Sequence, residues 1–310
     1  MSHRFRTGLF GLAILGLAWS TVGLESLVAE EPALYELRLK FTPGQELHYV
    51  SQNDEELLVQ FAQAQDTVRH TSMFMRRIRV LGVNPDGSAD VQLLLDRAYM
   101  TSQNSEVSSL YDSQDPDHVP TEFSSVKLSI GKPLPARLTT RGKFLPAADQ
   151  PPSFEQQIDL LLQLPEQPIS VGGTWKDSYE VAVEAEYEGK LFRQVKMLRR
   201  YELKSVDQGI ATIAVTTTPI TPINDAYQES QLLRRKPIGI LKFDLERGCL
   251  VDRQVRVDDR VVGNQGPGSA LTVKIVKVDR MISADQISRI DMTKPLVPVR
   301  VAAAPTTTTK

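Results

Sequence analysis

Chemically reactive side chains are scarce in this 310-residue chain. It has one cysteine, Cys249, and four histidines, His3, His48, His70 and His118. One cysteine cannot close an internal disulfide, so packing alone must hold the fold. Cys249 sits in "RGCLVDR" among apolar neighbours and reads as a small buried hydrophobe rather than a nucleophile. The histidines stand apart, with no His-x-His or His-Glu-x-x-His spacing, and that argues against zinc. Charge of one sign is missing too: the formal net charge is -2, with a pI near 6.1. Such a balance makes no long-range field for nucleic acid or an anionic membrane, so no nucleic-acid partner is expected.

Motifs with a mechanism are also lacking. There is no Gly-x-Ser-x-Gly nucleophile turn, no Gly-x-x-x-x-Gly-Lys loop and no Gly-x-Gly-x-x-Gly turn. "GPGSA" at 266–270 is glycine-rich but lacks a strand-to-helix setting. "YDSQDPDHVPTE" carries Asp112, Asp115, Asp117 and Glu122. A calcium loop wants acids at alternate positions and a glycine at the sixth, and here the glycine and the register fail. With 38 acidic residues some pair of carboxylates is always available, so pairing alone identifies no glycosidase. Basic clusters occur at Arg76, Arg77 and Arg79, at Arg199 and Arg200, and at Arg234, Arg235 and Lys236. On strands, adjacent residues point to opposite faces, so the first two clusters form no single patch. No cofactor, metal or catalytic residue is expected from the sequence.

Long apolar runs are confined to the start. Arg4 and Arg6 precede an apolar stretch from Gly8 to Trp19. A basic segment followed by a short apolar one reads as a secretory signal peptide, cleaved after Ala29 in "SLVAEEP". The alternative is an uncleaved anchor, since extending the run to Leu24 nears the lower length for a span. With cleavage, no span remains and the mature chain is exported, to the periplasm or beyond. No cysteine follows the apolar run, which argues against an N-terminal lipid anchor.

What is present is alternation, and it occurs twice. "LGVNPDGSADVQL" (81–93) and "LKSVDQGIATIAV" (203–215) align at Gly87 and Gly209. At that offset Leu81, Ala89, Val91 and Leu93 meet Leu203, Ala211, Ile213 and Val215. Apolar residues at period two on both sides of a turn read as β-hairpins. Their arms are expected over 74–83 and 89–99, and over 195–206 and 210–218. Two further glycine pairs occur in the same order. Gly44 in "PGQELHY" matches Gly172 in "VGGTWKD", and Gly142 in "LTTRGKFL" matches Gly248 in "FDLERGCL". The pattern predicts one module used twice, the six glycines marking its turns. "DEELLVQFAQAQ" is read as strand, because Leu57, Val59 and Phe61 alternate. Residues 101–125 are polar, contain Pro116 and Pro120, and are expected to form an irregular loop.

One helix is expected between the copies. In "PSFEQQIDLLLQLP", Ser153 and Gln156 make a capping box, and Phe154, Ile158, Leu161 and Leu162 share one face. The fold class is therefore mainly β and antiparallel: two related β-rich halves in a large curved sheet or sandwich, with one connecting helix. The organisation is 1–29 signal peptide, 34–150 first repeat, 151–167 connecting helix, 168–282 second repeat and 283–310 a disordered, Pro-, Ala- and Thr-rich tail.

In sum these stretches resemble uncharacterised exported bacterial proteins assigned to domains of unknown function. The residues that carry the likeness are "FTPGQELHY", "NPDGSADVQL", "RGKF", "VGGTW" and "FDLERGCLVDR". The resemblance covers most of residues 35–282 and implies fold and export. It brings no activity and no site residue. Three functions remain open: a non-catalytic binding or interaction module of the periplasm or envelope, with an unknown protein or envelope component as partner; a carrier for an apolar, lipid-like ligand, with Phe154, Ile158, Leu161 and Leu162 facing it; and a carboxylate-based hydrolase.

Overall fold

A computed structural model describes residues 33–115, 117–146, 162–187 and 190–297. They form one antiparallel sheet of twelve strands. The first half supplies β1 (Glu46–Phe61), β2 (Ala64–Val83), β3 (Ala89–Gln103), β4 (Ser108–Asp112), β5 (Leu134–Leu138) and β6 (Phe144–Pro146). The second supplies β7 (Thr174–Tyr187), β8 (Lys190–Asp207), β9 (Ile210–Pro219), β10 (Ile238–Asp244), β11 (Cys249–Val262) and β12 (Ser269–Ile282). The order across the sheet is β6-β5-β3-β2-β1-β12-β11-β10-β9-β8-β7, with β4 hung on β3. Two meanders thus stand in series, and β12 joins β1 to β11.

Both hairpins form, with Gly87 and Gly209 in their turns, but a bulge between Val80 and Gly82 leaves Leu81 exposed, so Val80 and not Leu81 takes the place of the buried Leu203. All six turn glycines have positive φ. The entries to the two meanders share a bonding pattern. Gly44 N–H donates to the Val80 carbonyl (2.9 Å) and Val80 N–H to the Gln45 carbonyl (2.9 Å). In the second half, Gly172 N–H donates to Leu203 (2.7 Å) and Leu203 N–H to Gly173 (3.0 Å).

One face of the sheet is apolar along its length. Leu47, Tyr49, Ile78, Val80, Val91 and Leu138 pack together in the first half. Tyr201, Leu203, Ile213, Leu241, Phe243 and Val255 do so in the second. The sheet must roll about this face. Leu138 on β5 and Phe243 on β10 line one small cavity, yet β3, β2, β1, β12 and β11 lie between them. In a flat sheet, strands that far apart would be separated by roughly 29 Å, at about 4.8 Å per strand.

The segments leading into the meanders cross over. Residues 33–43 precede β1, yet Lys40 N–H bonds the Gly248 carbonyl of the β10–β11 turn (3.0 Å). Residues 162–171 precede β7, yet Leu164 N–H bonds the Arg141 carbonyl of the β5–β6 turn (2.9 Å). Tyr35 and Ile169 tie the segments together with a reciprocal pair of 2.9 Å bonds. The close approach requires glycine: a Cβ on Gly142 would overlap the Leu162 carbonyl, and one on Gly248 would lie 2.5 Å from Lys40 N.

Three expectations need amendment. The connecting helix falls mostly on residues outside those described; residues 162–165, which are described, are not helical, and Leu162 and Leu164 are buried in the second-half core. The loop at 101–125 is more ordered than its polarity suggests. It carries the end of β3, then β4, a 3-10 turn at Thr121–Phe123 and the start of the short helix α1 (Ser124–Ser129). Phe123 and Tyr111, stacked at 6.1 Å, anchor it. The tail is packed as far as residue 297. A capping box at Ser283 and Gln286 opens a 3-10 turn. Met292 is then buried with Val50, Met73, Met75 and Ile282 on the other face of the sheet. Gln52 Oε1 accepts the Leu296 and Val297 N–H groups at 2.6 and 3.3 Å. Low complexity begins only after this strap.

Candidate groove beside a short helix at the sheet edge

Strand β7 is the long edge of the sheet, and a helix that the sequence reading did not anticipate sits against it. Helix α2 (Ala226–Leu232) starts at Asp225, whose carboxylate accepts the Gln228 N–H at 2.8 Å. Asp225 is an ordinary N-cap, and "NDAYQESQLL" shows that signal to an eye not set on strands. Leu232 and Leu233 point inward and are fully buried. Leu232 packs on Val183, Val195 and Met197, and Leu233 on Val257, Val261, Val273 and Ile275.

The helix plugs part of the edge. Glu184 N–H donates to Gln231 Oε1 (2.8 Å), and Gln231 Nε2 donates to the Glu184 carbonyl (3.1 Å). One side-chain amide thus replaces the peptide that another strand would offer. Tyr227 Oη donates to Glu184 Oε2 (2.7 Å), and this bond raises the Tyr227 phenol above its ordinary range. Arg193 reaches Gln228 Oε1 (3.1 Å) and the Pro222 carbonyl (3.0 Å).

Beside this network lies a groove of about 540 Å³, lined by Glu184, Ala185, Leu191, Phe192, Asp225, Tyr227 and Gln228. Leu191 is 77% exposed, Phe192 55% and Tyr227 45%. On the other side of α2 is a second groove of about 270 Å³, between the Pro219–Ile223 loop, Glu229, Leu232 and Lys236. Lys236 is tied there to Asp259.

The interior is different. Leu162, expected to face a ligand, lines a cavity of about 20 Å³ with Leu39, Tyr49, Leu138, Phe243 and Cys249. That volume holds about one water. Phe154, Ile158 and Leu161 lie outside the described residues. Tyr49 Oη donates to the Leu250 carbonyl (2.9 Å), and complete burial pushes the phenol far up. Burial likewise raises the Cys249 thiol.

Other sequence candidates resolve into ion pairs. Arg77 meets Glu46 and Asp96, Arg79 meets Glu46, and Arg234 meets Glu55. Asp112 meets Arg97. Among the described residues no group of three or more His, Cys, Asp or Glu side chains could hold a metal. Among the described residues three carboxylates have displaced titration, and all shift down: Glu46 through its bond from Arg79, Asp86 through Ser88, and Asp291 to about 2 through Thr293. No helix among the described residues is long and apolar enough to cross a membrane.

No family model matches the chain, and no curated protein matches it. Solved structures similar to it include the following two. One is lipovitellin, from work on its lipid–protein interactions, at 10% identity and a TM-score of 0.43 over 79% of this chain. This chain spans about a quarter of that one, 26%. The other is DynF of the dynemicin biosynthesis pathway of Micromonospora chersina, at 9% identity and a TM-score of 0.21, covering 88% of this chain and 96% of that one. At such scores neither likeness carries an argument about ligand or activity.

Proposed function

We propose that this chain is an exported, non-catalytic binding protein of the periplasm or cell envelope, and that it meets its partner at the groove beside α2. The signal segment through Ala29 supports export, and the matched entry bonds and glycine turns support a duplicated module. One observation carries the site: Leu191, Phe192 and Tyr227 stand exposed around a groove whose polar wall is already fixed by the Glu184, Gln231, Tyr227 and Gln228 bonds. Fixed walls lower the ordering cost of binding.

The test is site-specific photocrosslinking in the native host, with the crosslinker at Phe192 and, as a distant control, at Phe61. A discrete adduct at position 192 that the added substitution Tyr227→Ala removes is the expected result. Adducts only at position 61, or none at either, would refute the assignment.

A second reading, a carrier of an apolar ligand, is supported by the size of the same groove. About 540 Å³ lies within the roughly 300–1,000 Å³ of small-molecule sites. Native mass spectrometry separates the two. An extra mass lost on denaturation supports the carrier, and a bare polypeptide beginning at Glu30 supports the interaction protein.

A further inference from the structure

We infer that the inner face of β8 and β9 holds a binding site for an oxyanion, a carboxylate or phosphate group, formed by the Arg199 guanidinium and the Thr217 hydroxyl. The two residues are cross-strand partners on the apolar face, where side chains at such positions stand about 5 Å apart at Cβ. Thr217 is buried at 2% exposure, and its Oγ1 has no hydrogen-bond partner. Buried hydroxyls are ordinarily satisfied, and one left open beside a cation needs an explanation.

Arg199 is half-buried and, among the described residues, makes no ion pair. Its guanidinium lies over the Tyr179 ring at 4.3 Å and interacts with the Tyr201 phenol. Tyr201 stacks on Trp175 at 5.2 Å. The aromatic groups fix the fork without neutralising it. Asp177 is the Arg199 partner on β7, on the side away from Thr217.

The same face supplies a contrast. Arg253 on β11 is buried and bonds Asp279 on β12 through Nε at 2.7 Å. The fold thus bonds one inner-face arginine to a carboxylate, whereas the other has Asp177 beside it on one strand, without an ion pair, and an open hydroxyl on the next. A guanidinium with a neighbouring hydroxyl donor suits a planar carboxylate or a phosphate. The groove at α2 plays no part in this argument.

The test is calorimetric titration of the full chain with sodium decanoate and, separately, with inorganic phosphate. Wild type, Thr217→Val, Arg199→Lys and Arg199→Gln are compared. Saturable binding in at least one arm is expected. Thr217→Val and Arg199→Gln each weaken it by about tenfold or more, and Arg199→Lys by less. Thr217→Val is the decisive variant, because it keeps the shape, removes an unsatisfied group and should melt at or above the wild-type temperature. Decanoate binding alone identifies an amphiphile's carboxylate, phosphate binding alone a phosphate group, and both a general oxyanion site. No binding in either arm, or binding that Thr217→Val leaves unchanged, would overturn the inference.

Discussion

The crossed leader segments make a quantitative prediction, because two glycines share a backbone conformation and differ in surroundings. Gly209 and Gly142 have φ of +77° and +80°. A Cβ on Gly209 meets nothing within 4 Å, whereas one on Gly142 overlaps the Leu162 carbonyl. Gly209→Ala should therefore cost only the left-handed penalty, about 1–2 kcal/mol. Gly142→Ala incurs the same penalty and must also displace residues 162–164. That breaks the Leu164 N–H bond to Arg141, worth about 1 kcal/mol. It also lifts Leu162 and Leu164, 6% and 2% exposed, partly out of the core. Full exposure of each would cost about 1.5–3 kcal/mol, and half of that is a fair share. The total for Gly142→Ala is then about 4–6 kcal/mol.

Urea unfolding followed by far-UV circular dichroism reads the difference directly. With a slope near 3 kcal/mol per M, the midpoint falls by roughly 0.5 M for Gly209→Ala and by more than about 1 M for Gly142→Ala. Adding Leu164→Ala to Gly142→Ala should be markedly less than additive, since the first change has already displaced that leucine. Equal midpoints for the two alanine variants would refute the crossed packing. Strict additivity with Leu164→Ala would refute the route by which it stabilises.

Other consequences are accessible to simple measurements. Arg253→Met removes an inner-face partner of Asp279, itself 3% exposed, and should cost about 3–5 kcal/mol in urea unfolding; adding Asp279→Leu should recover much of that. Met292→Ala should cost about 2–5 kcal/mol and release the strap, seen as faster hydrogen exchange over 283–297. Asp291 titrates near 2, below its ordinary 3.8, because Thr293 bonds the carboxylate. Its stabilising effect is complete above about pH 4 and lost as pH falls toward 2. Exchange in the strap should accelerate over that window, and Asp291→Asn should abolish the dependence.

The sheet was legible because a strand with one buried face writes itself at period two. Leu203, Ala211, Ile213 and Val215 are buried as the alternation requires, and the hairpin glycines fix where each strand turns. The roll was not legible, since it depends on Leu138 and Phe243 meeting across five intervening strands. Helix α2 escaped notice because seven residues hold too few turns for a periodic signal, and its inward Leu232 and Leu233 are consecutive. The strap was taken for tail because its anchors, Ile287, Ile290, Met292 and Leu296, follow no regular period. They pack from turns, where spacing carries no information.

The basic clusters show how register creates function that composition conceals. Arg199 and Arg200 are neighbours in sequence, and the pleat sends them to opposite faces. Arg200 joins the charged outer surface. Arg199 enters a row with Asp177 and Thr217, against aromatic rings, on a face otherwise given over to the core. Arg253 is bonded to Asp279, whereas Asp177, the carboxylate in the Arg199 row, makes no ion pair with it among the described residues, and an incompletely compensated buried charge is costly. Stability would also favour valine over threonine at position 217, where the hydroxyl has no partner. Two adjacent departures from the stability optimum, in one row and of complementary chemistry, are what a ligand site requires of a fold that must exist without its ligand.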